Sequence, residues 1–193
     1  MQVKALEIPD VKLIVPGRNS DSRGFFSETY NKIALAEHGI ALEFVQDNHA
    51  FSVDQWTVRG LHCQTPPFEQ NKLLRCTHGS IFDVGVDARR GSPTYGQHVS
   101  AIVSAREWNQ ILIPIGFVHG YCTLEPCTEV IYKVDNYYSP AHEVGVLWND
   151  PELAIDWPVA KNTVAVSERD RQWPKLDDFP NPFRYSGGGI EGG

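Results

Sequence analysis

The sequence predicts an all-β protein, a sandwich or barrel of short strands. From residue 42 to about 134, β-branched and aromatic runs recur at regular spacing, with Gly, Pro and Asn between them. The chain has no strand–helix alternation of the kind a parallel sheet requires and no glycine-rich phosphate loop, which removes a dinucleotide-binding fold. Its 193 residues suffice for one domain with a real core, and 41% hydrophobic content is globular rather than disordered.

Taken in order, VKALEI, VKLIVP and FFSETY alternate or run apolar in strand fashion. NKIALAEHG reads as a short helix, with Ile33, Leu35 and Ala36 apolar and Gly39 as its stop. The strand runs follow: LEFVQDNHAFSV, WTVRGLHCQ, NKLLRCTH, SIFDVGVDA, YGQHVSAIVSA, QILIPIGFVHGYCTL and EVIYKVDNYY. RGSPTYG is a Pro-Gly turn. After residue 148 the texture changes to NDPELAIDWP, SERDRQWP and DDFPNPF, an arm with one short helix capped by Ser167. Such an arm cannot hold a core alone and should lie against the β domain, with Trp148 and Trp157 as anchors. SGGGIEGG reads as a flexible tail. The predicted organisation is one domain over residues 1–185, arm included, and a tail over 186–193.

The formal charge of −7 argues against general nucleic-acid binding, which uses a basic face, but leaves room for a small anion held by a few arginines. The opening MQVKALEIPDVKLIV carries no signal-peptide pattern, and no apolar run approaches the ~20 residues of a membrane helix. Cys63, Cys76, Cys122 and Cys127 form no CxxC pair, so free thiols in a reducing cytoplasm are expected. The spacing of Cys122 and Cys127 is only a weak zinc signal.

Two segments resemble the cupin family, a double-stranded β-helix. PIGFVHG, residues 114–120, matches the P-x-G-x-x-H of its second motif. The first motif supplies His-x-His and a nearby Glu; here the corresponding stretch is LHCQ, with Gln64 in place of the second imidazole. His62 and His119 alone fall short of a ligand set, and an amide is a poor ligand, so the resemblance implies the barrel without a metal.

RGLHCQTP sets Arg59 and His62 three apart. A histidine accepts protons near neutral pH and works best beside a carboxylate; Asp170 could be delivered by the arm. Lys72 opens a strand whose next residues are apolar and could point into a cavity. Period two puts Tyr132 on the face of Val130, Val134 and Tyr138. Singly, each residue is more simply a core or surface group. Together, a base, a cation and a phenol suit epimerisation next to a ketone: the base removes the α-proton, the cation stabilises the enolate, and the phenol returns a proton on the opposite face. Neither a metal nor a redox cofactor is required.

SDSRGFFSETY, FVQDNHAFSV, VRGLHCQTPPFEQNKLLRCTHGSIFDVGVDARRGSPTYG, LIPIGFVHGY, VIYKVDNYYSPAHEVGVLWNDPELAIDWP and SERD together resemble the dTDP-4-dehydrorhamnose 3,5-epimerase family, over about residues 3–175. The resemblance implies a cupin-like jelly roll with a few short helices. It implies His62 as catalytic base paired with Asp170, Tyr132 as general acid, Tyr138 as helper or stacking residue, and Lys72 on the enolate. It implies Arg59 on the diphosphate, Gln46, Asp47 and Asn48 lining the nucleotide or sugar pocket, and His119 and Glu143 on its wall. Arg23, Phe25 or Phe26, and Glu28 would come from the neighbouring subunit of a homodimer with exchanged N-terminal strands. The expected partner is a dTDP-sugar, with no cofactor, nucleic acid or membrane.

Two positions depart from the family pattern. Cys63 replaces a Tyr and should point away from His62. Arg169 stands for the Lys before the late Asp, keeping the charge with different reach. A mono-epimerase acting at one carbon is the alternative within this chemistry; a metal-dependent cupin enzyme and a non-catalytic nucleotide-sugar binder are those outside it.

Overall fold

A computed structural model describes residues 1–159 and 164–187. The strands are β1 (Gln2–Ala5), β2 (Lys12–Val15), β3 (Asn19–Asp21), β4 (Gly24–Phe26), β5 (Gln46–Ser52), β6 (Thr57–Gln64), β7 (Lys72–His78), β8 (Ser80–Asp87), β9 (His98–Ser104), β10 (Gln110–Ile113), β11 (Phe117–Thr123), β12 (Thr128–Val134), β13 (Glu143–Gly145) and β14 (Ala165–Val166). One α-helix, α1 (Lys32–Ala36), and two 3₁₀ turns (Pro140–His142 and Leu176–Asp178) complete the described elements.

The strands form two sheets. The first runs β1-β2-β10-β7-β12-β5; the second runs β13-β6-β11-β8-β9, with β14 beside β6. The hairpin β3–β4 joins neither. This is the expected jelly-roll sandwich with few helices. Alternation along the strands sorts side chains between three apolar clusters. Between the sheets lie Leu74, Ile111, Ile113 and Val130 from the first and Ile81, Val103, Phe117 and Tyr121 from the second. On the outer face of the second sheet, Val58, Leu61, Val84, Val118 and Cys122 are covered by Leu153, Trp157, Leu176, Phe179 and Phe183 of the C-terminal arm. On the outer face of the first, Leu73 and Leu112 meet Leu35, Ile40 and Leu42, around α1. Trp157 is the anchor the sequence suggests; its indole N–H donates to Trp148 O at 2.7 Å. No described helix is long and apolar enough to cross a membrane.

The helix at NKIALAEHG is confirmed. Asn31 Oδ1 accepts from the backbone N–H groups of Ile33 and Ala34, at 3.1 and 3.2 Å, and so caps its start. Three readings need correction. The FFSETY strand stops at Phe26, because the Ser27 hydroxyl donates to Gly17 O and accepts from the Trp108 indole, turning the chain away. EVIYKVDNYY stops as a strand at Val134, because Asp135 is drawn to the backbone and side-chain N–H of Asn71. Tyr138 therefore lies on a loop, outside the alternation that places Tyr132. Ser167 does cap a turn, accepting from Asp170 N–H, but no helix follows; Pro174 lacks the N–H that would extend it. The arm contributes a strand instead, with Ala165 and Val166 pairing parallel to Thr57 and Val58. Most of the expected tail, residues 188–193, lies outside the described residues.

The feature that shapes the interior is a β-bulge in β6. His62 faces His119 and Arg59 faces Tyr121, so three steps on β6 match two on β11. Gly60 takes up the extra residue at φ +107, and a Cβ there would fall 2.4 Å from His119 O and 2.7 Å from Gly120 Cα. Gly60→Ala should therefore destabilise the protein by about 3 kcal/mol or more, combining backbone strain with a clash that neither strand can relieve. The shift of the urea unfolding midpoint at unchanged slope would measure it.

Candidate active site

At the β5–β6–β12 end of the sandwich the inward side chains turn polar and leave a cavity of about 500 Å³. Arg59, His62, Lys72, His119, Tyr121, Tyr132, Tyr138, Glu143, Arg169 and Asp170 all line it. An adjoining recess of about 230 Å³ shares His62, Lys72, Tyr132, Tyr138 and Glu143 and adds Gln46, Asn48, Gln64 and Gln70.

Each strand delivers its residues by parity. On β6 the bulge turns Arg59 and His62 to the same side despite their spacing of three, while Leu61 and Cys63 go to the outer cluster. Burial there pushes the Cys63 thiol up to about 12, so this departure from the family pattern is a packing residue. On β7, Lys72 is buried at 8% exposure. On β12, Tyr132 projects inward from the sheet opposite His62, so imidazole and phenol face one another across the cleft. On β13, Glu143 sits beside Gln64 in register.

Burial dominates the electrostatics. It drives His62 well below the ordinary histidine value, and the neighbouring Lys72, His119 and Arg169 push the same way. The imidazole is thus held neutral, ready to accept a proton. Burial lowers Lys72 as well. It raises the Tyr132 phenol, against the opposing charge of Arg59, so the hydroxyl keeps its proton as a donor. Tyr138 is raised chiefly by its hydrogen bond to Glu143, where its hydroxyl donates to Oε2 at 2.8 Å. Arg169 donates to the same oxygen, so Glu143 links the arm to the Tyr138 loop. Arg59 crosses to β5, donating to Phe51 O at 3.0 Å and Ser52 Oγ at 3.3 Å.

The expected residues divide. His62, Lys72, Tyr132, Asp170, Arg59, His119, Tyr138, Glu143 and Arg169 meet in the cavity, and Gln46 and Asn48 in the recess. Asp47 does not: period two turns it to the outer face, where it pairs with Lys133 at 2.8 Å. Arg23, Phe25, Phe26 and Glu28 also stand apart from this chain's cavity. Arg23 binds Asp21, Phe25 packs edge-on to Trp108 at 4.6 Å, and Glu28 accepts from Asn31. Asp170 reaches the cleft but, among the described residues, makes no hydrogen bond to His62. Its oxygens accept instead from Gly60 N–H at 3.4 Å and the Trp173 indole at 3.3 Å. The arm lays Trp173 against Gly145, where a Cβ would come within 2.6 Å of the indole ring, and this sets the direction of the carboxylate.

One functional group was not anticipated. Asp83, fully buried, binds His119 Nε2 at 2.9 Å, orienting the ring opposite His62. A lone acid inside the apolar run SIFDVGV was the available signal. Among the described residues, no group of three or more His, Cys, Asp or Glu is placed to hold a metal.

The chain matches the dTDP-4-dehydrorhamnose 3,5-epimerase family model over residues 5–178. It is 47% identical over 184 residues to the dTDP-4-dehydrorhamnose 3,5-epimerase of Pseudomonas aeruginosa, covering 93% of this chain and 100% of that one. The dTDP-4-dehydrorhamnose 3,5-epimerase of Bacillus anthracis, solved with TDP and PPi bound, superposes with a TM-score of 0.87 at 48% identity, over 90% of this chain and 98% of that one. The dTDP-6-deoxy-D-glucose-3,5-epimerase of Legionella pneumophila, solved with dTDP-4-keto-L-rhamnose, superposes at 0.91 with 38% identity, over 96% and 98%.

Because the positive charge of Lys72 helps depress His62, Lys72→Met should raise the His62 pKa, read from its imidazole signals in an NMR pH titration. Linkage gives a second expectation. A histidine lowered on folding binds more protons when unfolded, so its contribution to stability is present above about pH 6.5 and is lost progressively below it. His62→Gln should flatten that acid-side decline in a series of denaturant titrations.

Proposed function

The chain belongs to the dTDP-4-dehydrorhamnose 3,5-epimerase family, and from that premise and the cleft we propose that it converts dTDP-4-dehydro-6-deoxy-D-glucose to dTDP-4-dehydro-L-rhamnose. The observation that carries the reading is the His62 imidazole on one sheet facing the Tyr132 phenol on the other, with the buried Lys72 beside them.

His62 takes the proton from the carbon next to the C4 ketone. The electron pair moves into the carbonyl to give an enolate, and Lys72 stabilises the oxyanion. Tyr132 returns a proton from the opposite face, inverting the centre and leaving a phenolate, while His62 holds the proton removed. Reprotonation of the phenolate and release of the proton from His62 reset both groups, and the sequence operates at C3 and at C5. Arg59 meets the diphosphate, to which a guanidinium fork is matched. Gln46, Asn48, Tyr138, Glu143 and Arg169 shape the sugar side. Asp170 lines the same cleft, with its carboxylate held by Gly60 N–H and the Trp173 indole.

The reading includes a homodimer. The β3–β4 hairpin is paired with neither sheet and exposes Phe25 at 51% and Phe26 at 68%. Carried to a partner's cleft, it would supply Arg23, an aromatic against the base, and Glu28. β1 and β2 pair within this chain's first sheet, which supports β3 and β4 as the exchanged strands in this reading. A cytoplasmic location belongs to the same reading, since all four cysteines are free thiols.

Proton NMR of dTDP-4-keto-6-deoxyglucose with the protein in heavy water tests the activity. Deuterium should enter at both C3 and C5, and His62→Ala should slow this by about 10²-fold or more, the usual contribution of a general base. Washout at one carbon only would make the chain a mono-epimerase, and washout at neither would end the proposal. Phe26→Ala should raise KM while leaving the unfolding free energy of the protein within about 0.5 kcal/mol, as for an exposed side chain.

A further inference from the structure

We infer that Gln64 is a positioning residue that holds Tyr138 over the sugar side of the cleft. This rests on the epimerase reading and assigns a role to the position where the cupin pattern would carry a second imidazole. Gln64 is 3% exposed, points inward from β6, and lies in register with Glu143. Its Oε1 accepts from Ser139 N–H at 2.6 Å. Its Nε2 donates to Tyr137 O at 3.1 Å and also to Phe68 O. One amide thus grips the residues on both sides of Tyr138. Gln46 completes the hold: its Oε1 accepts the N–H of Tyr138 itself at 3.1 Å.

Tyr138 depends on this grip. Its side chain is 51% exposed, so little packing restrains it, yet its hydroxyl must reach Glu143 Oε2 at 2.8 Å. Three successive backbone groups fixed to two opposed sheets settle where the phenol can go. An amide fits the task because the position needs a donor and an acceptor on one planar group. A carboxylate at the same length offers only acceptors to the carbonyls of Phe68 and Tyr137 and buries a charge.

The test measures C3 and C5 deuterium exchange, KM and kcat for wild type, Gln64→Glu and Gln64→Asn, each also made in a Tyr138→Ala background. Gln64→Asn keeps the amide but draws it back by one methylene, and carries the test should Gln64→Glu fail to fold. Either change should raise KM about tenfold with kcat held within about threefold, the scale of one lost buried hydrogen bond acting on binding. In the Tyr138→Ala background the same changes should move KM by less than about twofold, because the group they position is gone. An unchanged KM, or an equal loss in both backgrounds, overturns the assignment and leaves Gln64 a general structural residue. Absence of exchange in the wild type would instead remove the epimerase reading on which it rests.

Discussion

One extra residue in β6 governs the interior. Without the bulge, Arg59 and His62 would fall on opposite faces of the sheet, since their spacing is odd. With it, both enter the space between the sheets, and Leu61 and Cys63 enter the outer cluster under the C-terminal arm. The bulge exists because Gly60 can hold φ +107 and pass against the backbone of β11, where the carbonyl of His119 leaves no room for a side chain. The entry of Arg59 and His62 into the cleft and the seating of the arm on the other face both follow from that close approach.

The cleft gathers charge where the rest of the sandwich is apolar. Burial lowers His62 and raises Tyr132, favouring a neutral imidazole and a protonated phenol. Asp83 holds His119 from below, and Glu143 joins Tyr138 to Arg169 at the mouth. Arginine at 169 suits this last link, because its fork can bind Glu143 and still present N–H groups toward an anion. The arm is therefore more than a cover: it brings Asp170 and Arg169 to the site while its apolar residues close the second sheet.

Much of this was legible in the chain. The run of short β-branched and aromatic segments declared an all-β core, because alternation is a local property of each strand. The short helix in NKIALAEHG was legible from its own apolar residues and the stop at Gly39, while its Asn31 cap came from the structure. Tyr132 was placed by parity within its strand, and Lys72 by its position beside an apolar run. His62 and Asp170 were raised by the chemistry of a histidine beside a deliverable carboxylate, and the motifs resembling the epimerase family added Glu143. Asp47 went wrong because a motif names neighbours without regard to face, and in β5 it alternates away from Gln46 and Asn48.

What the sequence by itself determined is the all-β class, the chemical repertoire and the family. Tertiary structure alone decided the rest: that β6 carries a bulge, that Tyr138 arrives on a loop gripped by Gln64 and Gln46, that Asp170 faces Gly60 and Trp173, and that Asp83 backs His119. Each depends on hydrogen bonds between residues far apart in the chain. Local pattern carries no information about such pairs, because their energy appears only when two sheets close and the buried polar groups must find partners.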